Sequence, residues 1–168
     1  MRFIDNLIKR GHESPLEFGH VTFRLITSRD VLAELTRHRL ASFCVESQRY
    51  VNENTDKEGI RFIRPLFYTD DNASSLPSRV WKHAMEDAES DYNLMILYGV
   101  KNQDARKVLP NSTACTIVMD VNLRELRHIY NLRSSPAAYP EMRELMRLLK
   151  IEVDKVLPGF LPDEEGKT

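Results

Sequence analysis

Long apolar runs, a signal sequence and a cysteine-rich pattern are all missing from this sequence of 168 residues. No apolar run approaches the roughly 18 residues that a membrane span needs, and nothing at the N-terminus reads as a signal peptide. Cys44 and Cys115 have neither metal-ligand spacing nor a disulfide framework, so we expect two core thiols in a reducing cytoplasm. A formal net charge of −1 excludes a broad basic face for duplex nucleic acid. We therefore expect a cytoplasmic protein with no membrane or nucleic-acid partner, in which any anion binds at a local site.

The apolar content of 42% is enough for one core at this length, so we predict a single domain over residues 1–168 with a polar tail at 160–168. Apolar residues at helical spacing predict helices at residues 3 to 10, from a Ser28 cap to about residue 40, at 78–102, at 105–109, from an Asn122 cap to residue 133, and from about 140 to 156. Alternating apolar residues predict strands at 17–26, 59–67 and 113–121. Polar, turn-rich stretches predict loops at 52–59 and 70–77.

The stretch from Arg37 to Tyr50, RHRLASFCVESQRY, gathers side chains that are well suited to bind an anion. It begins with Arg-His-Arg at the predicted end of the second helix, and seven residues separate this triplet from Ser47. An extended segment would put Ser47 and Arg49 on one face, where the planar fork of arginine suits phosphate or carboxylate. The pattern indicates a nucleotide-sized anionic ligand. The structural alternative is a solvated helix end followed by a salt-bridged strand.

This order of residues resembles the signature of the flavin-dependent thymidylate synthases. Three further blocks resemble the same family: GHESPLEF from Gly11, ARKVLP from Ala105 and NLRELRHIYNLR from Asn122. The resemblance implies an α+β fold with a mostly antiparallel sheet flanked by long helices. It implies reductive methylation of dUMP to dTMP, with FAD as cofactor and with NADPH and methylenetetrahydrofolate as co-substrates. It also implies a homotetramer with active sites shared between subunits, which would suit the long apolar stripe at 78–102.

The resemblance also implies roles for individual residues. Catalytic roles would fall to Arg133, which would stabilise negative charge at the pyrimidine, to Ser47 as a positioning hydroxyl, and to His12 near the flavin. The residues that would bind dUMP are Arg37, Ser47, Arg49, Arg106 and Arg133, with Arg49 and Arg106 on the phosphate. Those that would bind FAD are Arg37, His38, Arg39, Asn122, Arg124 and His128. No metal is expected, and no thiol need attack the pyrimidine, since neither cysteine has a nearby histidine partner in the sequence.

The chain departs from the family pattern at three positions: Gln103, where a glutamate is usual, Phe18, where a histidine is usual, and Tyr139, where a glutamine is usual. Most members carry a further segment ahead of the position of Met1 that bears part of the flavin site, so the chain resembles an abbreviated member and we expect weaker flavin retention. Two other function classes stay open. One is an enzyme of the same fold that modifies C5 of a pyrimidine nucleotide differently, for instance by hydroxymethylation. The other is a homologue that binds nucleotide or flavin without catalysis, which Arg133 disfavours because a binding module needs no charge-stabilising group at the base.

Overall fold

The structure is a computed structural model that describes residues 2–51 and 59–163. Helices and strands follow one another along this part of the chain. The helices are α1 (Arg2–Lys9), α2 (Arg29–Leu35), α3 (Leu76–Leu97), α4 (Asn102–Ala105), α5 (Leu123–Arg133) and α6 (Pro140–Val156). The strands are β1 (His20–Ser28), β2 (Ser42–Val45) and β3 (Ala114–Asn122). Short 3₁₀ helices lie at Ser14–Phe18, Asp70–Asn72 and Arg106–Val108. None of the described helices is long and apolar enough to cross a bilayer.

The strands form a three-stranded sheet in the order β1-β3-β2, so β3 is the central strand. β1 and β3 run antiparallel. The hydroxyl of Thr22, early in β1, donates to Asp120 at 2.7 Å, late in β3, whereas the carbonyl of Thr27, late in β1, accepts from the thiol of Cys115 at 3.4 Å, early in β3. The fold is therefore mixed α+β with a small antiparallel sheet, as predicted.

The residue contacts divide the chain into two compact units. The first unit comprises Met1–Arg24, Leu35–Phe43 and Val118–Thr168, and the second comprises Leu25–Glu34 and Cys44–Ile117. In the first unit α5 packs against α6, and apolar residues from both helices are fully buried, among them Leu126, Ile129, Met142 and Met146. In the second unit Tyr92 of α3 packs with Ile60 and Ala105 in a cluster that Met95 and Leu109 enlarge.

Several predicted elements are confirmed at or near their expected bounds. α1 ends before Gly11, whose φ of 69° lies in the left-handed region that glycine adopts without a steric penalty. Asn122 caps α5, because its side-chain oxygen accepts from the backbone N–H of Glu125 at 2.8 Å. α6 ends at Val156, and α2 begins directly after Ser28, as expected.

The predicted extent of α2 is wrong at its C-terminal end, because the helix ends at Leu35 and not near residue 40. The backbone N–H of His38 donates to the carbonyl of Leu35 at 3.1 Å, so the chain turns there. His38 is buried, and its ring accepts a hydrogen bond from Arg133, which is 95 positions away in the sequence. A tertiary contact therefore ends the helix, and helical periodicity carries no signal of such a contact.

The extended segment expected through Ser47 and Arg49 is also wrong beyond β2, which ends at Val45. Ser47 opens a turn: its carbonyl accepts from the N–H of Tyr50 at 3.1 Å, and its hydroxyl accepts from the N–H of Arg49 at 3.3 Å. Local hydrogen bonds from a serine compete with strand pairing in this way. Ser47 and Arg49 therefore belong to one turn and not to one face of a strand.

The strand predicted at 59–67 is reduced to an isolated antiparallel bridge between Phe62 and Thr113. Pro65 has no N–H to donate to a ladder, which disfavours a regular strand here. The loop predicted at 70–77 contains the 3₁₀ helix Asp70–Asn72, and α3 already begins at Leu76, capped by Ser75. The loop predicted at 52–59 lies outside the described residues except for Gly59.

Three burial predictions are wrong. The expected polar tail begins with Phe160 and Leu161, which are only 2% and 1% exposed and belong to the core of the first unit. Cys115 is a buried thiol as expected, but Cys44 is exposed. The apolar spacing of α5 also assigns Leu132 to the core face, but this residue is 50% exposed.

Candidate functional site

One face of α5 lines a cavity of about 600 Å³ in the first unit. Asn122, Glu125 and His128 follow one another at helical spacing of three residues, so their side chains share this face. Arg124 and Asn131 of the same helix also line the cavity. The residues that line the cavity are Glu13, Glu17, Leu40, Asn122, Arg124, Glu125, Arg127, His128 and Asn131. Its volume falls within the range of small-molecule sites.

His38 lies against α5 and is held there at both ring nitrogens. Its Nε2 accepts from Nε–H of Arg133 at 2.9 Å, and its Nδ1 lies 3.5 Å from a carboxylate oxygen of Glu125. The ring of His128 meets that of His38 edge-on at a centroid distance of 6.0 Å. Burial, followed by the charge of Arg133 and then by His128, lowers the pKa of His38 to about 4. The imidazole is therefore neutral at physiological pH, as a ring that accepts a hydrogen bond from a guanidinium must be.

Two acidic residues pair with the two arginines of the cavity. Nη1 of Arg124 donates to the carboxylate of Glu17, and its Nε lies 3.9 Å from that of Glu13. Nε of Arg127 lies 3.7 Å from Glu13, and Nη1 of Arg127 donates to the carbonyl of Phe160 at 2.8 Å. Arg124 is half exposed, so an anionic ligand can reach it by displacing Glu17.

A second cluster of polar side chains lies in the second unit and joins Arg49 to Arg106. Nε of Arg49 donates to the side-chain oxygen of Gln103 at 3.3 Å, and Nε of Arg106 donates to the backbone carbonyl of the same residue at 3.2 Å. The turn at Ser47 fixes the backbone of Arg49, and the guanidinium of Arg49 lies over the ring of Tyr50 at 5.2 Å. Both arginines are exposed, so each has a guanidinium group that is open to solvent and bonded to Gln103.

The remaining expected site residues are exposed and lie in loops of the first unit. His12 follows α1, and Arg37 and Arg39 lie in the turns between α2 and β2. Among the described residues that line the cavity, none of these three is found. Of the three departures from the family pattern, Gln103 joins the arginine cluster, Phe18 is 89% exposed, and Tyr139 precedes α6.

Glu125, the acidic residue of this site with the least exposure, was not predicted from the sequence. Its side chain is 9% exposed and faces His38, whereas acidic residues in the first turn of a helix are usually solvated. The spacing Asn122, Glu125, His128 was a usable signal, because it puts all three side chains on one face of α5. Glu13 and Glu17 were not predicted either, because they contact the arginines only through the tertiary fold.

The described residues form an α+β protein with a polar cavity in the first unit and an arginine cluster in the second. The family model described as thymidylate synthase complementing protein matches residues 1–159. The chain therefore belongs to the thymidylate synthase complementing protein family.

Curated relatives named flavin-dependent thymidylate synthase match most of the chain. A protein of Geobacter sulfurreducens is 35% identical over 153 residues, which cover 88% of this chain and 64% of the relative. A protein of Haloarcula marismortui is 32% identical over 172 residues, which cover 90% of this chain and 70% of the relative. A protein of Pyrococcus abyssi is 33% identical over 153 residues, which cover 90% of this chain and 62% of the relative. The chain thus spans about two thirds of the length of these relatives.

Proposed function

We propose that this chain is a flavin-dependent thymidylate synthase, which reductively methylates dUMP to dTMP with methylenetetrahydrofolate as carbon donor and NADPH as reductant. The observation that carries the proposal is the preformed cluster in which Gln103 bonds both Arg49 and Arg106. Two guanidinium groups held by one residue suit a phosphate monoester, because each can donate in its own plane. Family membership supplies the reaction class.

The nucleotide would be bound by Arg37, Ser47, Arg49, Arg106 and Arg133. Arg49 and Arg106 would take the phosphate, and Ser47 would orient the nucleotide from its turn. Arg133 would lie at the pyrimidine, where a fixed guanidinium stabilises the negative charge that develops as C5 becomes nucleophilic. His12 would act beside the cofactor, where an exposed histidine can take up or release a proton.

The cavity along α5 has a donor set that fits FAD. Arg124 offers a half-exposed guanidinium to a diphosphate, and Asn122 and His128 offer polar groups for the rest of the cofactor. Arg37, His38 and Arg39 complete the proposed set. His38 is buried and contacts Arg133 and Glu125, so it would support the site through these two residues. When bound, FAD supplies the hydride that reduces the transferred carbon.

Neither thiol is needed in this proposal. Cys115 is buried and donates to the carbonyl of Thr27 at 3.4 Å, so it is a structural residue. Cys44 is exposed and also unpaired with another cysteine, which suits a protein of the cytoplasm.

We propose that the chain forms one domain of this fold and assembles as a homotetramer with shared active sites. The support is α3, a helix of 22 residues and thus about 33 Å long. Apolar residues along and just after it are exposed: Leu76, Val80, Leu94, Leu97 and Tyr98. Exposed apolar residues on one element favour burial against another subunit. Gel filtration with light scattering would give four times the chain mass, and a monomer would contradict the proposal.

A product assay tests the function. Purified protein is loaded with FAD and incubated with dUMP, methylenetetrahydrofolate and NADPH, and the product nucleotide is analysed by mass; Arg133→Ala is the inactive control. We expect dTMP. A product heavier by one oxygen would replace the proposal with the hydroxymethylating alternative, and unchanged dUMP with FAD bound would contradict both.

A further inference from the structure

His38 bridges two residues of α5 that lie eight positions apart, Glu125 and Arg133. Eight residues correspond to a rise of about 12 Å, so these two side chains do not touch directly along the helix. The imidazole lies between them, with Nε2 at 2.9 Å from Arg133 and Nδ1 at 3.5 Å from Glu125. The three residues form a buried row in the first unit, and only its Arg133 end is half-buried.

The protons of this row follow from the chemistry of its members. Nε of arginine always carries a proton, so it donates and Nε2 of His38 must accept. A neutral imidazole has one ring proton, which lies on Nδ1 as long as Arg133 keeps its bond to Nε2. Nδ1 faces the carboxylate of Glu125, which only accepts when ionised. The distance of 3.5 Å makes this a charge–dipole contact, weaker than a short hydrogen bond.

The low pKa of His38, about 4, agrees with a neutral ring in this row. Its burial and the charge of Arg133 both oppose a second ring proton. Neutrality alone does not choose between the two tautomers. The donor at one nitrogen and the acceptor at the other make that choice.

Glu125 also has a local reason to be where it is. It lies in the first turn of α5, where a negative charge is favoured by the helix dipole, and its backbone N–H is capped by Asn122. That reason would be served equally by an exposed side chain. The carboxylate instead lies 3.5 Å from Nδ1 of His38, with 9% of the side chain exposed.

A metal ion is the competing occupant of the same residues. The ligand atoms of His38, Glu125 and His128 all lie within 4.8 Å of one another. Nε2 of His38 already accepts a hydrogen bond from Arg133. A metal ion at Nδ1 would require that nitrogen to lose its proton. The guanidinium next to the ring also repels a cation.

We propose that Glu125 is a positioning residue that holds His38 in the Nδ1–H tautomer and thereby orients the guanidinium of Arg133. With Nε of Arg133 bound to Nε2, the plane of the guanidinium is fixed at the end of α5. This inference rests on the proposed function for the role of Arg133 at the pyrimidine. The tautomer itself is a property of the protein without any ligand.

Nitrogen NMR of protein labelled with ¹⁵N in its five histidines tests the tautomer directly, with His38→Asn used to assign the signal. In the wild type we expect Nδ1–H and an unprotonated Nε2 for His38. Glu125→Ala should shift the signal toward a mixture of tautomers. Glu125→Gln, whose amide oxygen still accepts from Nδ1–H, should keep the wild-type tautomer. Glu152→Ala is the matched control, because Glu152 is an exposed carboxylate of α6 that pairs with Lys155, and it should change nothing.

Kinetics then separate positioning from a merely structural role. We expect Glu125→Ala to lower kcat at least tenfold while KM for dUMP and the bound FAD absorbance change little, and Glu125→Gln to restore most of the loss. An Nε2–H tautomer in the wild type, or a Glu125→Ala protein that keeps both tautomer and turnover, would overturn the proposal. Stoichiometric binding of added Zn²⁺ with shifts at His38 and His128 would overturn it in favour of a metal site. A wild type that makes no dTMP but shows the expected tautomers would refute the proposed function alone.

Discussion

Arg133 donates its Nε–H to Nε2 of His38 at 2.9 Å, which joins the last residue of α5 to the Arg-His-Arg triplet across 95 positions of the chain. The bond occupies the nitrogen of the guanidinium that lies nearest the backbone. It explains why the triplet is not part of a helix, because His38 must leave the helical path to reach α5. Because Nε2 must be unprotonated to accept this bond, a second proton on His38 would break it and release Arg133.

The two proposed nucleotide arginines should fail in different ways. Arg106→Ala should raise KM for dUMP about 10- to 100-fold, because a hydrogen bond between charged groups contributes about 1.5 to 3 kcal/mol. Arg133→Ala should instead lower kcat, by about 100-fold or more, while FAD stays bound. Steady-state kinetics with dUMP as the varied substrate and an FAD spectrum of each variant provide the measurement. Equal effects on KM from both variants would contradict separate roles.

The ion pair between Arg124 and Glu17 should compete with FAD. Glu17→Gln removes a negative charge from the cavity and releases Arg124. We expect FAD to bind up to about fivefold more tightly, because an exposed ion pair contributes up to about 1 kcal/mol. Isothermal titration with FAD at low salt gives the affinity. Glu152→Gln, a matched change outside the cavity, should leave it unaltered, and a weaker affinity in Glu17→Gln would show that Glu17 supports the site.

His38 should make stability depend on pH. Its folded pKa of about 4 lies below the ordinary value of 6.5, so the unfolded chain takes up a proton first as the pH falls. The stabilisation is complete above about pH 6.5 and is lost as the pH falls to about 4, with a total of up to about 3 kcal/mol. Urea unfolding between pH 4.5 and 7.5 should show this slope in the wild type.

Two variants isolate that contribution. His38→Asn should be less stable at pH 7 but should have a flatter pH dependence than the wild type. His83→Gln, which removes an exposed histidine, is the matched control for the loss of an imidazole. An unchanged slope in His38→Asn would show that another group titrates.

Phe160 should contribute to the core of the first unit. Its ring is 2% exposed, and the guanidinium of Arg127 lies over it at 5.6 Å. Phe160→Ala should lower the free energy of unfolding by about 3 to 5 kcal/mol. Phe18→Ala, at an exposed phenylalanine, should cost less than about 0.5 kcal/mol in the same urea titration. Similar values for the two would mean that Phe160 is not part of the core.

Elements whose signals are local could be predicted before the fold was known. Apolar spacing predicted α1, α5 and α6, alternation predicted β1 and β3, and Asn122 was identified as a cap because its side chain bonds only three residues ahead. The stretch from Arg37 to Tyr50, together with three further blocks of sequence, identified the family, which the match over residues 1–159 confirms. The roles of individual site residues stay predictions.

The way in which the predicted residues combine depends on contacts between distant segments. Periodicity could not end α2 at Leu35, because the cause is the burial of His38 against α5. It could not bring Arg49 to the segment of Gln103 and Arg106, since the bond from Arg49 to Gln103 spans 54 positions of the chain. It could not bury Phe160 or select Glu125 from the acidic residues, because the local sequence is the same whether such a side chain meets water or a partner. Burial and long-range hydrogen bonds exist only once distant segments meet, so they were absent from every local pattern.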